Sequence, residues 1–354
     1  MNRALSSIRS AAPRRARRRY TAPLAGLALL IGGCCCSRTF VYLKSPAPAP
    51  LNPVAEAAAR LASPVETPSA PTLTEMRGVD FRIDGAIAMH IRLLRGELTS
   101  THPGEPVNFG DKGSFEIGIH SAEVGLTADD LTSLLNRYTF AYPDAPLRDL
   151  VVTTAGAQVV QTGVVHKLVD LPFEITSDIS ATPEGMIRLH PTSIRICRVP
   201  GAPLMRVFHI HLDQLLDLSG ARGVSVDGND LILDPAHLLP PPAMSGRVTG
   251  AVVEGDEIVL TFGSPADPVA RAVERLARPD PAAGNYMFFH GGTLHFGRLF
   301  MVQSDLQITD EHPADPLDFY IDRYVDQLTA GYSRTMPDLS LEAFVPDFAA
   351  LSNE

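Results

Sequence analysis

The feature that most constrains the fold is an alternation of apolar and polar residues that recurs in successive segments between Ala122 and Gly263. It is clearest from Phe173 to Thr182, where the odd positions are mostly apolar and the even positions are all polar. Successive side chains of a strand point to opposite faces, so a period of two predicts a sheet with one dry face. Segments with helical spacing interrupt the strands, and we therefore predict an α+β fold with a mainly antiparallel sheet.

Turn residues divide the alternating stretch into separate strands. The sequence Thr182-Pro183-Glu184-Gly185 has the composition of a turn. Near Pro191 the apolar phase moves from odd to even positions, which predicts a β-bulge. Together these signals predict an antiparallel meander, with strands at 147–153, 157–166, 171–182 and 186–199.

Four segments have the spacing of amphipathic helices. Thr127, followed three residues later by Asp130, approximates a capping box and predicts a helix that begins there. A second helix is predicted from Leu204 to Leu218, because its apolar residues share one face and Ser219-Gly220 follow. Shorter helices are predicted at 265–276 and 316–331.

The segment at the start of the predicted domain has its large apolar residues at odd positions, from Val79 to Leu93. A continuous strand of about 15 residues would span roughly 50 Å, far more than an ordinary strand. We therefore predict one long strand that bends with a strongly curved sheet, with Gly85 and Gly96 as the bending points.

The first 36 residues have the organisation of an export signal, with seven arginines followed by an apolar run from Leu24 to Ile31. Ile31-Gly32-Gly33-Cys34 resembles a bacterial lipobox, which implies cleavage before Cys34 and attachment of acyl chains to it. An uncleaved anchor is the alternative, although this apolar run falls well short of the ~20 residues that span a bilayer. Arg17 to Tyr20 also fits the twin-arginine export pattern.

Composition divides the remainder of the chain into three parts. Prolines recur among alanines and small polar residues between Ser45 and Glu75, a composition that favours an extended chain over a packed core. We predict a tether at 37–77, a single α+β domain at 78–331 and an irregular tail at 332–354.

Charge and cysteine content exclude several classes of function. The chain has 30 basic and 40 acidic residues, and the first 33 residues hold seven arginines and no acid, so the remainder carries a formal charge of −17. Nucleic acid is therefore not an expected partner. Three of the four cysteines are consecutive at 34–36, so neither a disulfide framework nor a zinc site is predicted.

Six segments in the central part of the chain follow a recognisable order, namely 126–131, 145–150, 163–167, 170–173, 185–191 and 230–235. In this order they resemble the bacterial LmeA-like envelope proteins of the tubular lipid-binding (TULIP-like) group. The similarity extends over roughly residues 122–263, about 40% of the chain, and includes no catalytic motif.

This resemblance implies a half-barrel, in which a strongly curved sheet wraps around one or two amphipathic helices and leaves a groove for acyl chains. Apolar residues on the concave face either pack into an ordinary core or line such a groove, and the sequence leaves both possibilities open. The residues predicted to line the groove are Met89, Ile91, Phe173, Ile175, Ile187, Leu189, Ile258 and Leu260.

Catalytic and metal-binding patterns are weak. On a helix, His209 and His211 would point in different directions, so they are not expected to share a metal ion. His290-Gly291-Gly292 resembles the oxyanion turn of some esterases, but no nucleophile elbow of the form G-x-S-x-G accompanies it. Asp318, Asp322 and Asp326 recur on one face of a predicted helix, where we expect a solvated acidic row.

These observations predict a membrane-tethered, non-enzymatic protein of the bacterial envelope that binds or transfers lipid and needs no cofactor. The expected partners are a phospholipid or other acyl lipid and, through Cys34, the membrane itself, with the folded domain outside the cytoplasm. The alternative is a structural or assembly lipoprotein whose sheet is fully packed and whose surface binds a protein partner of unknown identity.

Overall fold

The computed structural model describes residues 70–166, 169–196, 205–206 and 218–351, and strands predominate among them. The strands are β1 (Thr72–Asp84), β2 (Ile87–Ser100), β3 (Val107–Asn108), β4 (Phe115–Thr127), β5 (Leu147–Ala155), β6 (Gln158–His166), β7 (Asp170–Ala181), β8 (Ile187–Ile196), β9 (Met205–Arg206), β10 (Val224–Asp227), β11 (Asp230–Leu233), β12 (Ala243–Gly246), β13 (Val248–Glu254), β14 (Glu257–Gly263), β15 (Tyr286–Phe296), β16 (Leu299–Asp310), β17 (Leu317–Tyr320), β18 (Tyr332–Thr335) and β19 (Leu341–Val345).

The helices of the described residues are short. They are α1 (Ala128–Leu134), which continues into a π-helical turn (Leu135–Thr139), α2 (Pro235–Leu238), α3 (Pro268–Arg275), α4 (Tyr324–Ala330) and α5 (Phe348–Leu351). Within the described part of the chain, no helix has the length and apolar character needed to cross a membrane.

The strands form two open sheets. Sheet A has twelve strands in the order β13-β14-β4-β2-β1-β15-β16-β19-β18, with β12 beside β4, β17 beside β1 and β3 beside β15. Sheet B has seven strands in the order β10-β11-β8-β7-β6-β5, with β9 beside β8. Sheet B is antiparallel throughout, and sheet A contains four parallel pairs, β1/β17, β3/β15, β4/β12 and β16/β19.

The predicted meander is present as β5 to β8, with antiparallel pairing between each strand and the next. The bulge expected near Pro191 is also present, because the β7/β8 register shifts where Ser177 faces Pro191 and Thr176 faces Ser193. The two sheets pack face to face around one shared apolar core. The N–H of Val248, on β13, donates to the carbonyl of Gly185 in the β7/β8 turn at 2.9 Å and joins the sheets at one end.

The prediction of one long strand from Val79 to Leu93 is wrong, because the chain reverses at Gly85-Ala86 and forms the β1/β2 hairpin. Phe81 faces Met89 across the hairpin. In this hairpin an odd-numbered residue faces another odd-numbered residue. The apolar side chains of both strands therefore lie at odd positions, which is the pattern expected of one continuous strand. The Asp84 carboxylate accepts the N–H of Ala86 at 2.7 Å and stabilises the turn.

The predicted domain boundaries are too narrow at both ends. β1 begins at Thr72, inside the predicted tether, and pairs with β15. The predicted tail contains β18, β19 and α5, and β19 pairs in parallel with β16. Both pairings join residues far apart in sequence, so no local pattern indicates them. Residues 1–69, which hold the predicted signal, Cys34 and most of the tether, lie outside the described residues.

The predicted helix at 316–331 is correct only in its second half. Leu317–Tyr320 forms β17 beside Val79–Arg82 of β1, and α4 begins at Tyr324. Leu317 and Phe319 are both fully buried, which is a spacing of two residues and fits a strand better than a helix. Gly78, with φ of 56°, lies where β1 changes partner from β15 to β17.

An aromatic cluster fills the core beside β1, β15 and β17. The ring of Phe109 lies 4.9 Å from that of Phe115 and 4.7 Å from that of Phe296, measured between centroids. Aromatic pairs at these distances add dispersion and quadrupole attraction to the gain from burial. The members of the cluster are Phe81, Phe109, Phe115, Phe289, Phe296, Phe319 and Tyr324.

A buried ion cluster lies on the other face of the same strands. The carboxylate of Glu75 accepts hydrogen bonds from Arg95 at 2.7 Å and from Tyr286 at 2.5 Å, and Arg278 forms an ion pair with it at 2.7 Å. Burial opposes ionisation of Glu75, but these donors outweigh it and lower its pKa. Glu274, on α3, forms an ion pair with Arg95 and so connects α3 to sheet A.

Candidate functional site

A cavity lies between the two sheets, on the side of the core away from the aromatic cluster. The enclosed volume of the cavity is about 70 Å³. A larger figure of about 920 Å³ includes the space that opens to solvent. Twenty of the described residues line the cavity, and nineteen of these are apolar.

The wall from sheet A consists of alternating side chains on neighbouring strands. β2 contributes Met89, and β14 contributes three positions separated by two residues, as expected for side chains on one face. On β4 the inward positions change from odd to even between Ile119 and Val124, because the β2/β4 register shifts there. The lining residues of this wall are Met89, Ile119, Val124, Leu126, Met244, Ile258, Leu260 and Phe262.

Sheet B provides the opposite wall, and two short segments complete the lining. β5 to β8 contribute Val152, Val159, Gln161, Ile179, Ile187 and Leu189. Leu131 and Leu135 come from α1 and its π-helical turn, while Leu233, Pro235, Leu238 and Leu239 come from β11, α2 and the residue that follows. The walls therefore combine elements from nearly 180 residues of sequence.

The structure places five of the eight predicted groove residues in this lining, namely Met89, Ile187, Leu189, Ile258 and Leu260. The other three, Ile91, Phe173 and Ile175, are buried in the surrounding core. Phe173 and Ile175 lie on the inward face of β7, as their alternation predicts, but the cavity reaches this strand only at Ile179. For Phe173 and Ile175, the packed-core alternative fits their position.

Several lining residues are absent from the predicted set. Ile119, Val124 and Leu126 lie on β4, where the phase shift conceals the common face. Gln161 lies on a predicted strand, but a polar side chain at an inward position breaks the apolar pattern. Val124 and Leu126 share the alternation that follows the β4 bulge, which is a signal that would have found them.

Helix α1 begins where the capping box predicts. The backbone N–H of Asp130 donates to the hydroxyl of Thr127 at 3.1 Å, and the N–H of Thr127 donates to the Asp130 carboxylate at 3.1 Å. The same helix protects the free edge of β5. Asn136 exchanges two hydrogen bonds with the backbone of Leu150, and Thr132 accepts the N–H of Val152 at 2.9 Å.

An ionic network connects α1 to β2 beside the cavity. The Nδ1 atom of His90 lies 2.8 Å from the carboxylate of Asp80, and its Nε2 atom lies 3.4 Å from that of Asp130. Asp130 also accepts the backbone N–H of Ala88 at 2.8 Å. The two carboxylates, Asp130 first and then Asp80, raise the pKa of His90 from 6.5 to about 10.

The pKa of Asp130 moves in the opposite direction. Burial alone would raise it, but the contact with His90 and the N–H of Ala88 outweigh burial, and the pKa is lowered. His90 is therefore a cation and Asp130 an anion at neutral pH. Their attraction holds the first turn of α1 against β2, next to the lining residues Met89 and Leu131.

His290-Gly291-Gly292 lies at an interruption of the ladder between β15 and β16. Gly291 and Gly292 have φ angles of 75° and 58°, and one residue on each strand, Gly292 and Gln303, is left out of the pairing without a change of register. A side chain at Gly292 would place its first carbon 2.3 Å from the hydroxyl oxygen of Thr72. Close packing against β1 therefore explains this glycine.

The acidic row predicted on one helix face does not form. Asp318 lies on β17 and forms an ion pair with Arg82, whereas Asp322 follows that strand and forms one with Lys112 at 2.8 Å. Asp326, on α4, forms an ion pair with Arg323 at 2.5 Å. Each aspartate has its own cation because the segment is divided between a strand and a helix.

Three other predicted features lie wholly or largely outside the described residues, namely His209 with His211, Cys197, and the helix from Leu204 to Leu218. Leu218 is described and is buried in the core. Among the described histidines, cysteines and acidic residues, no group of three is arranged to hold a metal ion.

Comparisons of the chain with family models, with curated proteins and with solved structures found no match.

Proposed function

We propose that this chain is a non-enzymatic lipid-binding or lipid-transfer protein that holds an acyl chain between its two sheets. The observation that carries the proposal is the cavity, whose lining is apolar at nineteen of twenty positions. Removing apolar surface from water is favourable by about 25 cal/mol per Å², so an alkyl chain needs no charged partner to bind there.

The size of the cavity limits what it can enclose. Its enclosed volume is about 70 Å³, and the larger figure of about 920 Å³ includes space that is open to solvent. Binding sites for drug-sized ligands have volumes of ~300–1,000 Å³, so the enclosed space is small by comparison. At most one acyl chain would therefore enter it, and the second chain of a phospholipid would remain outside.

The proposal includes attachment to the bacterial envelope. Lipidation of Cys34 would keep the cavity near a membrane, and the residues between Cys34 and Ala70 would act as a tether. The TULIP-like half-barrel belongs to the same proposal. It is supported by the antiparallel meander of β5 to β8 and by an apolar cavity between the meander and sheet A.

Extraction of non-covalently bound lipid tests the function directly. The full chain is purified without detergent and treated with organic solvent, and the extract is analysed by mass spectrometry. We expect about one extracted acyl chain per protein, distinct from any chain that stays covalently attached at Cys34. An extract without lipid, together with failure to bind an added fluorescent fatty acyl probe, would contradict the proposal.

A matched pair of variants separates binding in the cavity from binding to the surface. Val159 lines the cavity, and Val160 is the next residue on β6 and faces the other side of the sheet. Val159→Phe should fill the cavity and abolish probe binding, whereas Val160→Phe should leave it unchanged. Equal binding by both variants would place the lipid elsewhere on the protein.

A further inference from the structure

Gln161 is the one polar residue among the described residues that line the cavity. It lies on β6, where it faces Val152 on one neighbouring strand and Ile175 on the other. Gln161 is half-buried, and its side-chain amide makes no hydrogen bond to any residue that the structure describes. Its amide nitrogen and oxygen are therefore free to bind a ligand in a site whose other described side chains are apolar.

A second unpaired polar group lies beside it. Ser177 is 1% exposed and faces Val159 across the β6/β7 ladder. Its hydroxyl is buried without a hydrogen-bond partner among the described residues. Ser177 and Gln161 are diagonal neighbours on the inward face, a spacing of ~7–8 Å between backbones that long side chains can bridge. Ser177 does not line the cavity, which reaches β7 only at Ile179, so of the two groups Gln161 is the one that a ligand can contact.

The charge of the ligand is constrained by the same lining. None of the twenty described residues around the cavity is charged. A carboxylate, phosphate or ammonium group inside would have no counter-ion, and burial of an unpaired charge is far more costly than burial of an amide. An ester or hydroxyl group can instead exchange a hydrogen bond with Gln161 without carrying charge.

We propose that the cavity selects an acyl or alkyl chain whose enclosed part carries a neutral hydrogen-bonding group, an ester or an alcohol, and that Gln161 is the residue that selects it. This inference rests on the proposed function and adds the chemical class of the ligand. The Gln161 Nε2 donates to an ester carbonyl, and its Oε1 accepts from a hydroxyl.

Three probes with the same twelve-carbon chain test the selection: dodecane, methyl dodecanoate and dodecanoate at a pH where the acid is ionised. Each is titrated against the full chain carrying a bound fluorescent alkyl probe, and displacement is measured. We expect methyl dodecanoate to bind about tenfold more tightly than dodecane, the effect of one hydrogen bond, and dodecanoate to bind most weakly.

Gln161→Met keeps the length of the side chain and removes both hydrogen-bonding atoms. It should abolish the preference for the ester while dodecane still binds. Gln158→Leu is the control, because Gln158 lies on the same strand but bonds outward to Asp178 at 2.7 Å. The control should keep the tenfold preference. Should Gln161→Met fail to fold, Gln161→Leu makes the same test.

The outcomes distinguish this inference from the function on which it rests. Failure of the wild-type chain to bind any of the three probes would overturn the proposed function and the inference together. Equal affinity of the wild type for ester and alkane would overturn the selection by Gln161 and leave the lipid-binding function standing. Retention of the ester preference by Gln161→Met would have the same effect.

Discussion

Two regions of the core, the aromatic cluster and the surroundings of the cavity, are built from different side chains. Near β1, β15 and β17, seven aromatic residues interlock at centroid distances down to 4.7 Å. Between β4, β14 and sheet B, only one of the twenty lining residues, Phe262, is aromatic, and a cavity remains. Both regions are dry and apolar, so hydrophobic composition alone does not decide which of them is empty.

The difference lies in the volume of the side chains relative to the distance between the walls. Phenylalanine rings extend far enough to meet in the middle of a layer, whereas valine, leucine and isoleucine from two facing sheets leave space when the sheets are held apart. In this protein α1 and α2 lie at the margins of the cavity and help to separate the sheets. Truncation and filling should therefore affect the two regions unequally.

Truncation should show the largest effect in the aromatic cluster. Phe296 is fully buried and contacts four aromatic rings, so Phe296→Ala should lower the free energy of unfolding by about 3–5 kcal/mol. Leu189→Ala should cost only about 2 kcal/mol, because Leu189 already lacks neighbours on its cavity side. Urea denaturation measures both, and equal losses would contradict the comparison.

Raising the pH should change the free energy of unfolding by an intermediate amount. His90 has a raised pKa in the folded state, so its contribution to stability is complete below pH 6.5 and is lost as the pH rises toward about 10. The stability difference between wild type and His90→Gln should therefore shrink in this window, by at most about 1.4 kcal/mol per pH unit. Urea denaturation at several pH values measures it.

The ion cluster around Glu75 provides the control for this pH effect. Its cations are Arg95 and Arg278, and the pKa of Glu75 is lowered, so the Glu75 carboxylate stays ionised from pH 6.5 to 10. The stability difference between wild type and Glu75→Gln should stay constant over that window. A constant difference for His90→Gln as well would show that the His90 network does not stabilise α1.

Filling the cavity with a larger side chain should have the smallest effect on stability. The same enlargement beside the aromatic cluster should cost more. Val159→Phe should change the free energy of unfolding by less than about 1 kcal/mol, because the ring enters existing space. Val107→Phe adds the same ring beside the aromatic cluster, where Val107 is 3% exposed, and should cost about 1–3 kcal/mol. Thermal unfolding of both variants measures the contrast. A larger loss for Val159→Phe would mean that the cavity cannot accept a ring.

The sequence predicted those parts of the fold that local patterns determine. The alternation located β5 to β8, and the capping box located α1, since both signals arise from neighbouring residues. The β1/β2 hairpin was mistaken for one strand because its facing residues share parity. The pairing of β19 with β16 left no local signal, since it is decided by contacts between distant segments.

For the candidate site, the sequence predicts which face of a strand each side chain occupies, but not whether that side chain lines the cavity. Alternation assigned Ile187, Leu189 and Ile175 correctly to the inward side of sheet B. Whether an inward side chain meets another side chain or empty space depends on how far apart the sheets lie, which no single strand encodes. This is why Leu189 lines the cavity and Ile175 does not.

α1 lines the cavity and also covers the free edge of β5, so an outward movement of this helix would expose that edge. Leu131 and Leu135 form part of the lining, while Thr132 and Asn136, on the same turns, occupy the backbone groups at the edge of β5. A ligand thick enough to push this helix outward would break those bonds and leave a bare strand open to pairing with another chain. Under the proposed lipid-binding function, a ligand of that thickness would therefore promote self-association of the protein.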